Sequence, residues 1–328
     1  MSQQPQATSR FYDNSMLSSY KECPRKFQLR YKLHWRSAGT AMPLVFGLAW
    51  HAGQDVVWKY AKQTNDQSEL AHAALGGFEK SWVEDSGMKP SAELEFEDIE
   101  RMGARTPPVA HEMYRSYIKA RWQVIREAEL LACEQPFAVP MPDFEDVWYA
   151  GRLDKVAKIN GELLVIEHKT TTEYKKEGGF RSTYVESWFN DSQCKGYQFG
   201  GSLYYEGLSQ VWVDAALVHK SVHDAFRFIP VAHQFPLLAE WIGDTGRWIR
   251  RLEADEALNY FPKNEGSCIG KYGACNFLPI CRTTADPLAL SEVPAGYKVE
   301  EWKPFDILKL GQLLNKEATN EPGTQKAL

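Results

Sequence analysis

An Asn160-Gly161 pair constrains the fold of this chain more than any other feature of its sequence. Asn-Gly between two runs of alternating apolar residues is the strongest short-range signal for a β-hairpin with a two-residue turn. We therefore predict one strand at 147–159 and a second at 163–169. With the turn centred on this pair, Ile159 faces Glu162, which fixes the register of the whole hairpin.

The predicted register brings three charged side chains together. Asp154 lies directly opposite Glu167, and directly opposed residues share a face, with Cβ atoms about 4.5–5.5 Å apart. Lys169 follows two residues after Glu167, so strand alternation puts it on the same face. Two carboxylates this close repel each other unless a cation offsets their charge, and Mg²⁺ and Mn²⁺ favour oxygen ligands. The cluster indicates a divalent-metal site; the alternative is a surface cluster in which Lys169 pairs with the acids.

The chain has the composition of an ordinary globular protein. Its 328 residues allow one or two domains, and 44% of them are hydrophobic and 25% charged, as in typical soluble proteins. No apolar run approaches the roughly 20 residues that span a bilayer, and residues 1–10 lack the apolar region of a signal peptide. We expect a cytoplasmic protein without membrane contact, in which six cysteines argue against a disulfide framework.

The hydrophobic periodicity places most helices before the strands. We predict helices at 15–33 (with a break near Cys23), 45–61, 68–83, 109–131, 184–205 and 233–258, and a small amphipathic element at 305–314. We predict strands at 131–139, 147–159, 163–169, 211–218 and 225–231. This order, with a crossover helix between strands, predicts an α/β (α+β) fold with a central mixed sheet flanked by helices.

Several sequence segments together resemble one protein family. Gly151-Arg152-Leu153-Asp154 followed by Val165-Ile166-Glu167-His168-Lys169-Thr170 resembles the core motif of the PD-(D/E)XK nuclease superfamily. Gln193-Cys194-Lys195-Gly196-Tyr197 resembles the Gln-x-x-x-Tyr motif of its RecB-like members, whose two named side chains lie one helical turn apart and face one groove. Gly47-Leu48-Ala49-Trp50-His51 resembles the upstream helix whose histidine completes the metal shell in RecB-like nucleases.

The resemblance implies the mixed sheet of the PD-(D/E)XK nuclease core and a site for Mg²⁺ or Mn²⁺. The implied metal ligands are His51, Asp154, Glu167 and the backbone carbonyl of His168. The implied catalytic residues are Asp154, Glu167, Lys169, Gln193 and Tyr197. In this scheme the lysine positions or activates water, or offsets charge on the scissile phosphate. Many relatives also carry an acid near Glu134, which we interpret here as an outward-facing strand residue.

The charge of the chain is unevenly distributed. A net charge of −5 argues against a protein that coats nucleic acid nonspecifically, yet 21–36 carries six basic residues against one acid. A local basic surface suits a bound polyanion, and the resemblance implies a DNA path along Arg25, Lys26 and Arg30. A solvated helix face is the alternative interpretation of this segment.

Three cysteines in a glycine-rich loop, Cys268, Cys275 and Cys281, indicate a soft-metal or cluster site. The chain resembles RecB-like nucleases of the AddB and CRISPR-associated types, which implies Cys23 as a fourth ligand of a [4Fe–4S] cluster. The gap between Cys268 and Cys275 is longer than in many members, so Zn²⁺ and free thiols remain open. A cluster that joins both ends of the chain would restrain the unfolded state, so we expect a structural staple.

These expectations define a domain organisation. We predict a flexible N-terminus at 1–12, a single RecB-like nuclease domain at 13–282 and a tail at 283–328. Within the domain, 13–130 is the helical part, 131–258 the nuclease core, and 259–282 a cysteine-cluster loop joined to Cys23 in a subdomain of the chain's two ends.

The expected function is that of a metal-dependent DNA exonuclease. It would hydrolyse phosphodiester bonds of single-stranded DNA or DNA ends in recombination, repair or replication, with a helicase or recombinase as the expected kind of partner. One alternative is a catalytically silent nucleic-acid-binding or scaffold protein of the same fold. The other is an iron–sulfur redox protein, which the lack of a Gly-x-Gly-x-x-Gly dinucleotide motif disfavours.

Overall fold

The computed structural model describes residues 9–39, 41–175, 179–270 and 273–302. The element predicted at 305–314 lies outside these residues. None of the helices in the described part of the chain combines the length and the apolar character that a membrane span requires.

The described residues form two compact units. Unit 1 contains 9–39, 136–151 and 235–302, and unit 2 contains 41–135 and 152–234. Each unit is therefore built from segments that are distant in the sequence.

The helices and strands have the following bounds. The helices are α1 (Asn14–Glu22), α2 (Pro24–Phe27), α3 (Met42–Tyr60), α4 (Gln67–Lys80), α5 (Phe96–Met102), α6 (Pro107–Glu127), α7 (Ser182–Ser187), α8 (Ser192–Tyr204), α9 (Phe235–Ala257) and α10 (Leu278–Thr283). The strands are β1 (Arg10–Tyr12), β2 (Trp35–Ser37), β3 (Glu129–Pro140), β4 (Val147–Ile159), β5 (Glu162–Thr171), β6 (Gln210–Leu217), β7 (Phe226–Val231), β8 (Ile269–Gly270), β9 (Gly273–Ala274) and β10 (Tyr297–Val299).

Local sequence signals set the starts of the long helices in unit 2. α4 begins after Asp66, whose carboxylate accepts backbone N–H groups of the first turn. α6 begins after Thr106 and has Pro107 in its first turn, where the missing N–H of proline costs nothing. The apolar faces of α3, α4 and α6 meet in one core, in which the rings of Trp50 and Tyr114 stack at a centroid distance of 4.3 Å.

A mixed sheet runs through the centre of the fold. Its strand order is β1-β4-β5-β6-β7, and β3 pairs with β4. β5 and β6 are parallel, and α8 lies in the crossover between them, while β4 with β5 and β6 with β7 are antiparallel. The predicted α/β fold with a central mixed sheet flanked by helices is confirmed.

The hairpin turn has the predicted form. Asn160 and Gly161 have φ angles of 51° and 86°, the left-handed values that a type I′ turn requires. Ile159 pairs with Glu162, and the strands keep this register away from the turn. One position beyond the last paired residues, the same register puts Asp154 opposite Glu167. The predicted register is therefore confirmed along the paired part of the hairpin.

The helix predicted at 184–205 is two helices in the structure. α7 ends at Ser187, a 3₁₀ turn covers Trp188–Asn190, and α8 begins after Asp191. Asp191 is extended and its carboxylate accepts the N–H of Cys194 at 2.9 Å. This side-chain cap starts a new helix, although the apolar spacing of the sequence continues through the break.

Unit 1 contains the predicted break at Cys23. Cys23 is extended, with φ −163° and ψ 114°, and it ends α1. Pro24 then starts α2, where its fixed φ suits a first helical position. Nearby, the hydroxyl of Tyr20 donates to a carboxylate oxygen of Asp255 on α9 at 2.6 Å, which joins two sequence-distant segments of this unit.

Candidate metal centre

Three side chains from three elements converge in unit 2. α3 supplies His51, β3 supplies Glu134 and β4 supplies Asp154, and one ligand atom of each lies within 4.8 Å of the others. The imidazole Nδ1 of His51 lies 3.1 Å from Oδ2 of Asp154. One imidazole nitrogen and two facing carboxylates form a donor set for a divalent cation.

Glu134 is the member of this group that the sequence interpretation did not assign to the site. Its carboxylate is partly buried and forms a salt bridge with Arg152, in which Oε2 lies 2.7 Å from Nε. Its backbone φ is 51°, a left-handed value that costs a non-glycine residue free energy and is often found at functional sites. Burial and the charge of Asp154 raise the pKa of Glu134. The signal that identifies this acid is its place on the strand that pairs with the Asp154 strand.

The carboxylates of Asp154 and Glu167 are both buried, and their pKa values are shifted in opposite directions. Asp154 is 6% exposed and Glu167 is 1% exposed. Burial, and next the negative charge of Asp154, raises the pKa of Glu167 to about 7. Burial also acts to raise the pKa of Asp154, but His51, Lys155 and His168 together outweigh it and hold that pKa well below its usual range. A divalent cation between two such carboxylates would favour the ionised form of both.

Lys169 and Gln193 form a closed set of polar contacts with Glu167. The ammonium of Lys169 pairs with Oε1 of Glu167 and donates to Oε1 of Gln193 at 3.1 Å. Nε2 of Gln193 donates to Oε1 of Glu167 at 3.0 Å and to the phenol oxygen of Tyr197 at 2.7 Å. Burial lowers the pKa of Lys169, but the negative charges of Glu167 and Asp154 raise it by more than burial lowers it. The net shift of the pKa is upward, so the lysine is a cation.

One carboxylate oxygen of Glu167 stands without a hydrogen bond in the described part of the chain. Oε2 is buried and finds no hydrogen bond among the residues that the structure describes. A buried carboxylate oxygen without a partner is costly, whereas a cation beside it would satisfy the oxygen. The main-chain N–H of His168 donates to Oδ2 of Asp154 at 3.0 Å. His51, Glu134 and Asp154 therefore form a donor set that fits a divalent cation. Glu167 is not a member of this group of three, and its role as a ligand stays a prediction.

Comparison with protein families agrees with this geometry. The sequence profile of the PD-(D/E)XK nuclease superfamily matches residues 14–282. The chain belongs to the PD-(D/E)XK nuclease superfamily. Nucleases of this superfamily typically use Mg²⁺ or Mn²⁺, and the buried acids of unit 2 provide a candidate site for such an ion.

Solved structures that resemble this PD-(D/E)XK chain have low sequence identity to it. One is a protein of Eubacterium rectale described as a candidate exonuclease, with 14% identity, 92% of each chain covered and a TM-score of 0.48. Another is a protein designated SSO0001, with 14% identity, 66% of this chain and 74% of that chain covered, and a TM-score of 0.25. No protein with a curated description matches the chain. The membership of the superfamily rests on the sequence profile.

The four cysteines predicted to hold a cluster all belong to unit 1. The Sγ of Cys23 accepts the N–H of Asn264 at 3.4 Å, and the N–H of Cys275 donates to the carbonyl of Cys268 at 2.8 Å. Burial first, and then the neighbouring Cys23 and Cys275, raise the pKa of Cys281. Among the described residues, no three cysteine Sγ atoms lie within 4.8 Å of one another. The [4Fe–4S] cluster therefore stays a prediction. Its four predicted cysteine ligands all belong to unit 1.

The residues predicted to contact DNA have different surroundings in unit 1. Arg25 is 8% exposed, and its guanidinium donates to two main-chain carbonyls of this unit. Arg30 donates to the carbonyl of Glu300 at 2.8 Å, and Lys26 pairs with Glu22 at 2.7 Å. The DNA contacts stay predictions, and the buried Arg25 is the least suited of the three to bind a phosphate.

Proposed function

We propose that this chain is a metal-dependent deoxyribonuclease of the exonuclease type, which hydrolyses phosphodiester bonds in single-stranded DNA or at DNA ends. The observation that carries the proposal is the buried Glu167, whose Oε2 has no hydrogen-bond partner within the described ranges, beside Asp154 and the cationic Lys169. A surface cluster of salt bridges would leave these groups exposed to water, where such pairs contribute little stability. Their burial supports a site in which a cation completes the charge balance.

The proposed ligands come from both motif strands and from α3. Asp154, Glu167, His51 and the backbone carbonyl of His168 would hold Mg²⁺ or Mn²⁺, and we add Glu134 to this set. A bound cation of this kind supplies a Lewis acid for a phosphoryl oxygen and lowers the pKa of a bound water. The separate chain positions of these ligands mean that the site forms only when the sheet and α3 have folded.

Lys169 has an electrostatic role in this proposal. Because the carboxylates of Glu167 and Asp154 keep its pKa above the ordinary value, it remains protonated and does not act as a general base at neutral pH. Gln193 accepts a hydrogen bond from the ammonium of Lys169. This bond holds the ammonium beside Glu167. From there the ammonium can orient the attacking water and stabilise negative charge that develops on the phosphate.

A structural [4Fe–4S] cluster in unit 1 is a separate part of the proposal. Its ligands would be Cys23, Cys268, Cys275 and Cys281, and its function that of a staple between distant segments of the chain. Zn²⁺ held by four thiolates is the alternative. The pathway, a helicase or recombinase partner and a cytoplasmic location stay predictions.

Cleavage of end-labelled DNA tests the proposed activity. Linear single-stranded and double-stranded DNA and a covalently closed circle are incubated with Mg²⁺, Mn²⁺ or EDTA. We expect shortening of a linear substrate from its ends with either metal, no cleavage of the circle and no cleavage in EDTA. Cleavage of the circle would contradict the exonuclease assignment, and no cleavage of any DNA would favour the catalytically silent alternative.

The Lys169→Ala variant tests the mechanism in the same assay. We expect it to lower kcat by about 100-fold or more, the usual effect of removing a group that stabilises transition-state charge. Lys158→Ala is the matched control, because Lys158 is an exposed lysine of β4 in the same hairpin. Undiminished cleavage by Lys169→Ala would refute the role of the lysine.

A further inference from the structure

A buried polar network lies on the face of β5 opposite to Glu167 and Lys169, where α3 and α6 pack against the strand. His168 stands between Glu167 and Lys169, so its side chain points to the opposite face of β5. The structure leaves His168 0% exposed. The strand register pairs it with Asp214 of β6, and the imidazole Nδ1 lies 3.2 Å from Oδ2 of Asp214.

Helix α6 holds Asp214 from the other side. The hydroxyl of Tyr117 donates to Oδ2 of Asp214 at 2.6 Å, and Nη2 of Arg121 donates to Oδ1 at 3.3 Å. Tyr117 is itself fixed, because Nε1 of Trp58 on α3 donates to its hydroxyl oxygen at 3.2 Å. Both oxygens of this 1% exposed carboxylate are therefore hydrogen-bonded from α6, which fixes the carboxylate beside the His168 imidazole. Among the described residues the imidazole nitrogens themselves make no hydrogen bond, so the carboxylate acts on the ring by contact and charge.

The main chain of His168 connects this network to the metal centre. Its N–H donates to Oδ2 of Asp154 at 3.0 Å, and its carbonyl is one of the proposed ligands. The N–H and the carbonyl of one strand residue point towards the same neighbouring strand. A shift of the imidazole at the back of β5 would therefore move both groups relative to Asp154.

We propose that Asp214 is a positioning residue for the metal centre, which acts through the side chain and main chain of His168. The proposal rests on the proposed function, since it concerns the same metal site. Asp214 contacts neither the cation nor the substrate; with Tyr117 and Arg121, it fixes where the N–H and carbonyl of His168 lie. Groups that orient metal ligands from behind typically change metal affinity by 10–100-fold when they are removed.

The Asp214→Asn variant of the full chain tests this role, because asparagine keeps the size of the side chain and removes its charge. Isothermal titration with Mn²⁺ alone gives the dissociation constant, and thermal unfolding in EDTA gives Tm. We expect the Mn²⁺ dissociation constant to rise about tenfold or more. We also expect kcat of Asp214→Asn to recover when the Mn²⁺ concentration is raised, in contrast to that of Lys169→Ala.

Val211→Ala is the matched control for a purely structural effect. Val211 is a buried residue of the same strand, and its truncation removes apolar contacts away from His168. We expect it to lower Tm and to leave the Mn²⁺ dissociation constant unchanged. If Asp214→Asn lowers Tm in the same way and binds Mn²⁺ as tightly as wild type, the positioning role is overturned.

A second variant keeps the inference testable if Asp214→Asn does not fold. Tyr117→Phe removes one hydrogen bond to Asp214 and keeps the buried ring, so we expect a several-fold rise in the Mn²⁺ dissociation constant. An unchanged constant in this variant would also count against the role. A wild-type protein that binds no Mn²⁺ would instead refute the metal centre itself, so the two failures are distinguishable.

Discussion

Glu167 is a buried acid, and its ionised form raises the free energy of the folded protein when no metal is bound. The neighbouring Asp154 is also negative, and Lys169 and Gln193 contact Oε1 of Glu167 while Oε2 has no partner among the described residues. A site that is strained without its ion and satisfied with it couples metal binding to folding. The residues that prepare this chain for a cation therefore lower its stability when the cation is removed.

Replacement of Glu167 by glutamine should separate stability from activity. Burial raises the pKa of Glu167 to about 7. The folded protein therefore binds the proton of the Glu167 carboxyl more tightly than the unfolded chain does. The ionised acid then destabilises the folded state above pH 7, and this penalty disappears as the pH falls towards 5. In EDTA at pH 8 we expect Glu167→Gln to unfold at a higher Tm than wild type, with a free energy of unfolding larger by on the order of 1–3 kcal/mol.

The same variant should lose cleavage because it lacks a proposed metal ligand. At pH 5 in EDTA we expect its Tm to approach that of wild type. Glu162→Gln is the control, since Glu162 is an exposed acid at the start of the same strand. A Glu167→Gln protein that is less stable than wild type at pH 8 would show that the carboxylate is stabilising in the absence of metal.

Glu134 gives a second prediction at the scale of one residue. If its carboxylate is a ligand, Glu134→Gln should raise the Mn²⁺ dissociation constant about tenfold or more. Glu129→Gln is the control, because Glu129 is an exposed acid of the same strand. Isothermal titration checks both, and equal affinities in the two variants would remove Glu134 from the ligand set.

The residues of the site differ in how well the sequence could predict them. Asp154, Glu167 and Lys169 follow from the strand period and the turn, because alternation decides which side chains share a face. The orientation of Glu134 depends on a left-handed backbone angle that no local pattern specifies. The burial of Arg25 likewise depends on carbonyls from distant residues, which a basic run in the sequence does not reveal.

At the scale of elements, α3 is fixed to the sheet one helical turn after His51. Asp55, one helical turn after His51, receives the ammonium of Lys155 at 2.9 Å, and Lys155 is 0% exposed. Lys155 follows Asp154 on β4, so its side chain leaves the opposite face of the strand. This buried ion pair sets the position of the helix that carries one metal ligand against the strand that carries another.

Two glycines in the paired helices α3 and α4 should respond to alanine in opposite directions. A Cβ at Gly53 would collide with the ring of Tyr114 and lie 2.7 Å from the carbonyl oxygen of Ala74. A Cβ at Gly76 of α4 meets no atom within 4 Å. We expect Gly53→Ala to cost about 1–3 kcal/mol through overpacking, and Gly76→Ala to stabilise by about 0.5–1 kcal/mol through helix propensity.

Denaturant unfolding of both glycine variants measures this difference. Both variants replace a helical glycine by alanine, so the effect of the substitution on the unfolded chain is the same in both. Equal changes in the free energy of unfolding would show that α3 and α4 do not approach each other as closely as the structure indicates. The close approach depends on tertiary packing, and a glycine in a helical pattern does not by itself reveal it.

Elements were predictable where a local signal was strong and unopposed. The Asn160-Gly161 turn and its register are confirmed because period-two alternation on both sides agrees with the turn type. The helix predicted at 184–205 is divided in the structure, since the cap at Asp191 competes with an apolar spacing that continues through it. In that competition the side-chain cap determines where α8 begins.

At the scale of the whole molecule, each unit carries one kind of proposed inorganic site. The carboxylate centre lies in unit 2 and the four cysteines lie in unit 1. Local sequence patterns could not predict this division, because β3 and β4 each contribute residues to both units. A boundary inside a strand has no loop signal, no shift in composition and no run of charge to mark it.

The Cys23→Ala variant tests the proposed staple of unit 1. We expect purified protein from anaerobic preparation to contain about four iron atoms per chain, and the variant to lose its visible absorbance and unfold at a markedly lower temperature. Cys133→Ala is the control, since Cys133 belongs to unit 2. A Cys23→Ala protein with the spectrum and Tm of wild type would exclude Cys23 as a ligand, and bound zinc without iron would favour the alternative metal.

The type I′ turn also offers a practical point of attachment. Asn160 lies six positions after Asp154, just beyond the end of β4, which corresponds to about 20 Å of extended chain. A fluorophore or a biotin group placed at Asn160 would thus be attached at the far end of the hairpin from the carboxylates. Protein immobilised through this turn would allow the proposed shortening of single DNA molecules to be followed, with the turn itself serving as the fixed reference point.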